Sequence, residues 1–457
     1  MIQIGHKDLF WNYGATFLKI ASSILLLPFI LRMMPPEMVG IWTIFMTITS
    51  FSALLDFGFN PSFTRNVTYV FSGVSNLKTT GVEAITKEEK TIDFGLLKGI
   101  IRTMQGFYLR MAIILFLLLT SLGTWYVHEL LKNYHGDQKE VYLAWGLLCI
   151  INTYNLYTLY YDALLQGKGL IKKSKQIVIV GQLVYLVIAA SLIMKGFGLV
   201  AIVSAQAASV FIIRFLSYRS FFTTEIRQKL HAALSRSKKE ILKAISPNAI
   251  KIGLTTLGSF SVQKSAIVIG SMYLPLKDIG SYGITLQLIS ILAGIASIYT
   301  ATYAPKIAHL RVSQNIASIR KLYLNGLVIL VLTYLAGGLT LVLLGSGALN
   351  LIKSQTQLLP VTLIAVALII SLLESNHAIA GGILLTNNEV PFFKASLFAG
   401  ATTILLVLLL LNFTTMGIWA MILAPGIAHL YNNWKWPYEV VKQLNIKFSH
   451  LLFIDLR

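Results

Sequence analysis

Charge is what this sequence has least of. Only 12% of its 457 residues are Asp, Glu, Lys or Arg, against about 25% in an ordinary soluble domain. Hydrophobic residues make up 56%, and the mean hydropathy is +0.71. That balance excludes a soluble globular chain and describes a polytopic membrane protein. Cysteine is nearly absent. Cys149 stands alone, so no disulfide can form within the chain and cysteine usage carries no information on redox compartment. The opening "MIQIGHKDLFW" lacks the basic start, short apolar core and small-residue cleavage site of a secretory signal, so the first apolar segment is expected to remain as a span. Enzyme signatures are missing too: there is no His/Cys/Asp cluster at metal spacing, no G-x-S-x-G and no P-loop lysine. The letters DFG at 56–58 close an apolar run, without a Gly-rich loop or a catalytic-loop HRD triplet, which excludes a kinase reading. The expectation is a transporter with no catalytic residue, cofactor or metal; an ATP-driven pump would need its ATPase from a separate subunit.

What the chain does have is apolar runs. Twelve approach the ~20 residues needed to cross a bilayer core, at 9–31, 38–60, 105–127, 141–164, 176–194, 197–213, 248–273, 279–303, 324–345, 359–385, 395–413 and 417–433. With the N-terminus in the cytoplasm, the inner segments hold 28 Lys and Arg and the outer ones six, namely Arg32, Lys132, Lys139, Lys195, Lys277 and Lys353. This is a strong positive-inside bias, and an even number of spans puts both termini in the cytoplasm. The net charge of +20 therefore reads as topology. Nucleic acid is not an expected partner, because no basic face joins a recognisable nucleic-acid motif.

The longest charged run, "RQKLHAALSRSKKEILKAI" (227–245), separates six spans from six. The implied organisation is an N-terminal six-helix bundle at 1–226, a basic cytoplasmic linker at 227–247 and a C-terminal six-helix bundle with a tail at 248–457. "MVGIW" (38–42) and "DIGSY" (278–282) each follow a short outer loop with proline and open an even-numbered span, at an offset of 240. Six spans per half make this a parallel repeat. The fold expected is all-α, with two bundles related by a pseudo-two-fold axis along the membrane normal and a cavity between them. In "IDFGLLKGIIR" (92–102), Ile92, Leu96, Leu97, Ile100 and Ile101 share a helical face; the segment reads either as a helix lying in the inner interface or as an amphipathic entry to the third span.

Polar groups inside spans are costly and mark cavities or functional sites. Asn12, Thr16, Lys19 and Ser23 recur at four, three and four, one face of the first span around a deep ammonium. The seventh span, "AIKIGLTTLGSFSVQKSAIVIG", puts Thr256, Ser259 and Gln263 on one face, beside Lys264. Lys251 and Arg110 lie nearer the inner end, where snorkelling competes with a site role. Glu374 sits mid-span with His377 at i+3, a spacing that lets the two share a proton and suits a coupling ion such as H⁺ or Na⁺; a structural pairing of Glu374 with Lys19 or Lys264 is the alternative. Tyr154 and Tyr157 are deep enough to stack on sugar rings, while Tyr160 and Tyr161 fit an inner aromatic belt. In "LLDFGFNPSFTR" (54–65), Pro61 ends or kinks the second span, Arg65 is cytoplasmic, and Asp56 is expected to pair with a basic group in a flexible inner gate. The bland reading is an ordinary span terminus.

The stretch "PPEMVGIWTIF…LLDFGFNPSFTRNVTYVFSG", within 35–73, resembles the end of the second span in polysaccharide flippases, the Wzx-like O-antigen translocases of the multidrug/oligosaccharidyl-lipid/polysaccharide exporter superfamily. The twelve-span layout resembles the superfamily from end to end. The resemblance implies movement of an undecaprenyl-pyrophosphate-linked oligosaccharide from the cytoplasmic to the outer leaflet of a bacterial inner membrane, by alternating access coupled to a cation gradient. It also implies polysaccharide polymerase or ligase partners. Basic spans suit a pyrophosphate by charge attraction. A drug/cation antiporter of the same fold is the competing reading, and it would favour a lumen dominated by acids.

Overall fold

The computed structural model describes residues 6–71, 73, 92–132, 134–312, 315–386 and 391–446; the side chains of Asn12, Thr16, Lys19, Ser23 and Lys251 lie outside the described set. Every regular element among the described residues is helical. Eight helical stretches are long and apolar enough to cross a membrane: 36–56, 94–131, 171–194, 198–221, 276–301, 316–351, 361–385 and 393–413. The other four expected spans fall on helices at 6–33, 138–157 with 160–167, 238–270 and 418–428. This is the all-α polytopic fold that the apolar runs describe. Its helices turn rows of Leu, Val and Phe outward, as in Leu335, Leu339 and Leu343 at successive turns, a surface suited to acyl chains and not to water.

The chain divides into two compact units. The first comprises Met1–Met33 and Phe45–Thr256. It contains α1 (His6–Met33), the latter part of α2 (Pro36–Ser52), α3 (Phe59–Phe71), α4 (Phe94–Leu118), α5 (Thr124–Leu131), α6 (Gln138–Tyr157), α7 (Tyr160–Gly167), α8 (Ile171–Met194), α9 (Gly198–Phe221), α10 (Thr224–Ala232) and the head of α11 (Lys238–Gly270). α4 and α5 form one long rod joined by a π-helical turn, Leu119–Gly123. α8 packs on α9 and α1, and α6 packs on α9 and α4. The Asp93 carboxylate accepts from the Leu96 N–H at 2.7 Å and starts α4, so the amphipathic stretch 92–102 is the entry to a span. Leu96, Leu97, Ile100 and Ile101 are buried.

The charged run after α9 is folded onto the head of α4. Arg236 pairs with Asp93 at 2.6 Å, and its backbone N–H donates to the Gly95 carbonyl. Lys98 donates to the Ala233 and His231 carbonyls at 2.8 and 3.3 Å, placing a cation on the C-terminal end of α10, where the helix dipole favours one.

The second unit comprises Met34–Ile44 and Leu257–Arg457. Besides the head of α2 and the rest of α11, it contains α12 (Leu276–Val312), α13 (Ile316–Leu351), α14 (Val361–Leu385), α15 (Phe393–Phe413), α16 (Ile418–Ala428) and α17 (Leu430–Gln443). Its core joins Ile319, Tyr323 and Leu330 of α13 to Ala380 and Leu384 of α14 and to Trp436 and Val440 of α17. In lipid, apolar area gives little drive for helix association, so close backbone approach matters more. Among the described residues it is greatest where α2 meets α12. A Cβ on Gly40 would fall 2.1 Å from the Leu276 carbonyl oxygen, and one on Gly280 would fall 2.7 Å from the Pro36 carbonyl oxygen. Both contacts relate a glycine to the residue four before its counterpart at the 240-residue offset. The two copies of the weak repeat therefore touch each other reciprocally.

Candidate functional site

In the first unit, polar groups gather at two helix breaks. α2 ends in a 3-10 turn, Ala53–Asp56, followed by Phe57 at φ 48° and Gly58 at φ 73°. Glycine carries that left-handed backbone without strain. Pro61 does not stop a helix here. It sits in the first turn of α3, where its missing N–H has no intrahelical partner to lose. The Asp56 carboxylate accepts from the Asn60 N–H at 2.9 Å and from the Tyr108 hydroxyl at 2.6 Å. Arg65 is exposed further along α3, so among the described residues Asp56 engages a tyrosine and a helix start rather than a cation.

The second break separates α6 from α7 at Thr158–Leu159. The Asn60 amide donates to the Leu159 carbonyl at 3.3 Å and ties the two breaks together. Arg214 of α9 spans the α6–α7 break, donating to Asp162 Oδ2 at 2.8 Å and to Asn155 Oδ1 at 2.6 Å. Only 5% of its surface is exposed. Tyr160 stacks on Tyr108 at 6.4 Å, receives the Gln105 amide at 3.4 Å, and meets Tyr157 edge-on at 6.2 Å. Tyr157 and Tyr154 are half-buried.

In the second unit, Glu374 and His377 of α14 do not bond to each other. Glu374 Oε1 lies 3.1 Å from His429 Nδ1, and His377 Nδ1 lies 2.6 Å from Asn433 Oδ1. The two imidazoles meet edge to face at 4.9 Å. Since an ionised carboxylate and an amide oxygen only accept, Nδ1 is the donor in each contact. His429 occupies the junction between α16 and α17, so Glu374 too sits against a helix break. One turn away on α14, Ser371 and Ser375 bond the Tyr334 hydroxyl at 2.7 and 2.9 Å.

Lys264 of α11 is half-buried and has no ion-pair partner among the described residues. Gln263 beside it is exposed, as is Arg110 of α4. The side chains of Asn12, Lys19 and Lys251 lie outside the described residues. No group of three or more metal-ligating side chains occurs among the described residues.

Sequence reasoning missed Arg214, Tyr108, His429 and Asn433. The charge of Arg214 ends an apolar run and so places the residue in the inner loop by sequence; α9 continues to Phe221. The available signal is "VFIIRFLSY", an arginine with apolar residues on both sides. His429 follows Pro425 by four residues, and a proline inside an apolar helix is the mark of a break.

No protein-family model and no curated protein matches the sequence. Solved structures match along nearly its whole length. One is an inward-facing multidrug resistance MATE family transporter of the MOP superfamily, with a TM-score of 0.68 and 14% identity over 94% of each chain. The MATE multidrug transporter DinF-BH matches at 0.64 and 16%, over 99% of this chain and 98% of that one. The lipid II flippase MurJ, in an inward closed conformation, matches at 0.65 and 12%, over 98% and 90%. The chain has the fold these transporters share, that of an all-α polytopic membrane protein.

Proposed function

We propose that the chain is a MOP-type flippase that moves a polyprenyl-pyrophosphate-linked oligosaccharide across the bacterial inner membrane by alternating access, with both termini cytoplasmic. The observation that carries this reading is Lys264. It is an ammonium on α11, within the apolar run 248–273, with no carboxylate paired to it among the described residues. An unpaired buried cation is costly in hydrocarbon and is retained where an anion visits. A pyrophosphate supplies at least two negative charges and several acceptor oxygens. Of the acids within the helices, Asp162 is paired with Arg214, Glu374 bonds His429, and Asp56 is held by the Tyr108 hydroxyl and the Asn60 N–H. The fold shared with a lipid II flippase supports a lipid-linked cargo. The Glu374–His429 pair, set at a helix break, is the candidate for coupling to a proton or sodium gradient.

The test is translocation in proteoliposomes of a fluorescent polyprenyl-pyrophosphate oligosaccharide, read with a membrane-impermeant quencher. Wild-type protein moves it; Lys19→Ala and Lys264→Ala lower the rate sharply with insertion unchanged. Movement unaffected by both variants keeps the flippase and removes the cationic site. No movement under any imposed proton or sodium gradient favours the second reading, a multidrug/cation antiporter, which the likeness in fold to MATE transporters supports.

A further inference from the structure

The basic end of α9 carries a feature that the transport reading does not use. Phe211, Phe215, Tyr218 and Phe222 fall at i, i+4, i+7 and i+11, one stripe along the helix. The stripe faces outward: Phe211 is 59% exposed, Phe215 46% and Tyr218 38%. The flank of the helix next to the stripe holds buried Arg214, Ser217 and Phe221. The rings are ordered against one another. Phe211 and Phe215 lie nearly parallel at 6.4 Å, and Tyr218 meets Phe222 at 5.0 Å. At the end of the stripe, two guanidinium groups cover neighbouring rings. Arg219 lies 5.0 Å from the Phe215 centroid and Arg227, from α10, lies 5.3 Å from that of Tyr218.

Neither arginine has a carboxylate within ion-pair reach among the described residues. The acid nearest in sequence to Arg227 is Glu225, which pairs with Lys229 at 2.6 Å; that ammonium holds its carboxyl below the usual range. Asp162 is taken by Arg214. An arginine lying on an aromatic ring keeps its N–H fork free at the edge, and that fork matches the two oxygens of a phosphate. Below the fork runs an exposed apolar track of stacked rings.

We propose that this stripe is a binding site for one anionic phospholipid of the adjoining leaflet, with its phosphate held by Arg219 and Arg227 and an acyl chain lying along Phe215 and Phe211. Two positive charges over one apolar track are complementary to a single negative headgroup on a chain. A zwitterionic lipid fits less well, because its own ammonium competes for the phosphate. The site is independent of what the protein transports.

The test is native mass spectrometry of the detergent-solubilised full chain, titrated with phosphatidylglycerol, with phosphatidylcholine and with inorganic phosphate. Wild-type protein retains phosphatidylglycerol in preference to phosphatidylcholine, and millimolar inorganic phosphate does not displace it. Arg219→Gln with Arg227→Gln weakens retention by about tenfold, the loss of charge-assisted hydrogen bonds to the phosphate. Phe215→Leu, which keeps both charges, weakens it less. Arg227→Gln alone, on a short helix outside the spans, gives the same direction of effect should the double variant not assemble. Unchanged phosphatidylglycerol retention in these variants overturns the site. Displacement by inorganic phosphate overturns the lipid as its occupant.

Discussion

Gly40→Ala is the sharpest test of the reciprocal contact between α2 and α12. The new methyl carbon would lie 2.1 Å from the Leu276 carbonyl oxygen and 2.9 Å from its carbon. A relaxed C···O contact is about 3.3–3.6 Å, so the two backbones must part by about 1 Å. Both sides are helix backbone, with no flexible side chain to swing away. A gap of that size forfeits roughly a quarter to a half of each dispersion contact it opens. The next turn opens with it, where Gly283 sits against Thr43. Overpacking of this kind costs about 1–3 kcal/mol. The gain in helix propensity from Gly to Ala returns about 1 kcal/mol, which places the net loss near 0–2 kcal/mol. Gly146→Ala, in α6 with nothing within 4 Å of the new carbon, isolates the propensity gain and should be neutral or stabilising. Gly280→Ala, whose new carbon meets the Pro36 oxygen at 2.7 Å, should cost less than Gly40→Ala. The double variant should cost less than the sum, since one separation accommodates both methyls. Equilibrium unfolding in mixed micelles reads all four. Gly40→Ala as stable as Gly146→Ala would refute the reasoning.

Arg214→Met should destabilise the protein by about 3 kcal/mol, because it strands a carboxylate and an amide beside a helix break. Adding Asp162→Asn should recover part of that loss, and additivity within about 0.5 kcal/mol in the same unfolding assay would show that the pair is not coupled. Asp56→Ala removes both the acceptor for the Asn60 N–H and that for the Tyr108 hydroxyl. It should cost about 1–2 kcal/mol and more than Tyr108→Phe; equal losses would mean the helix start does not depend on the carboxylate. Glu374→Gln and His429→Ala should each abolish the dependence of transport on an imposed ion gradient while leaving insertion intact. Persistence of that dependence in both would remove the pair from coupling.

The fold was legible because apolar length is written directly into the sequence: each of the twelve runs lies on a helix or a broken helix. The breaks were not. Pro61 suggests a helix end at the right place for the wrong reason, since the turn is made by Phe57 and Gly58 and proline opens the next helix. Arg214 is lost to sequence reasoning because a charge inside a span looks like a span's edge until its partners are seen. Those partners, Asn155 and Asp162, are more than fifty residues away in the chain, and no periodicity connects them. Spacing on one helix singles out Glu374 and His377 as a pair. The bonds run instead to His429 and Asn433, a cross-helix match that helical spacing cannot supply. Gly40 and Gly280 are visible as a weak repeat, but their spacing does not tell that the two copies touch.

The attachment of Lys98 and Asp93 to the segment after α10 has a mechanical consequence. A polar segment between two helices is ordinarily slack, and slack transmits no torque. Here the chain is anchored at Ala233 and Arg236 and enters α11 at Lys238, which leaves almost no free contour between anchor and rod. A helix is far stiffer in bending than a coil of equal length. The head of α11 is therefore tied stiffly to the head of α4, and the compliance that a loop would have provided has to come from within the helix itself.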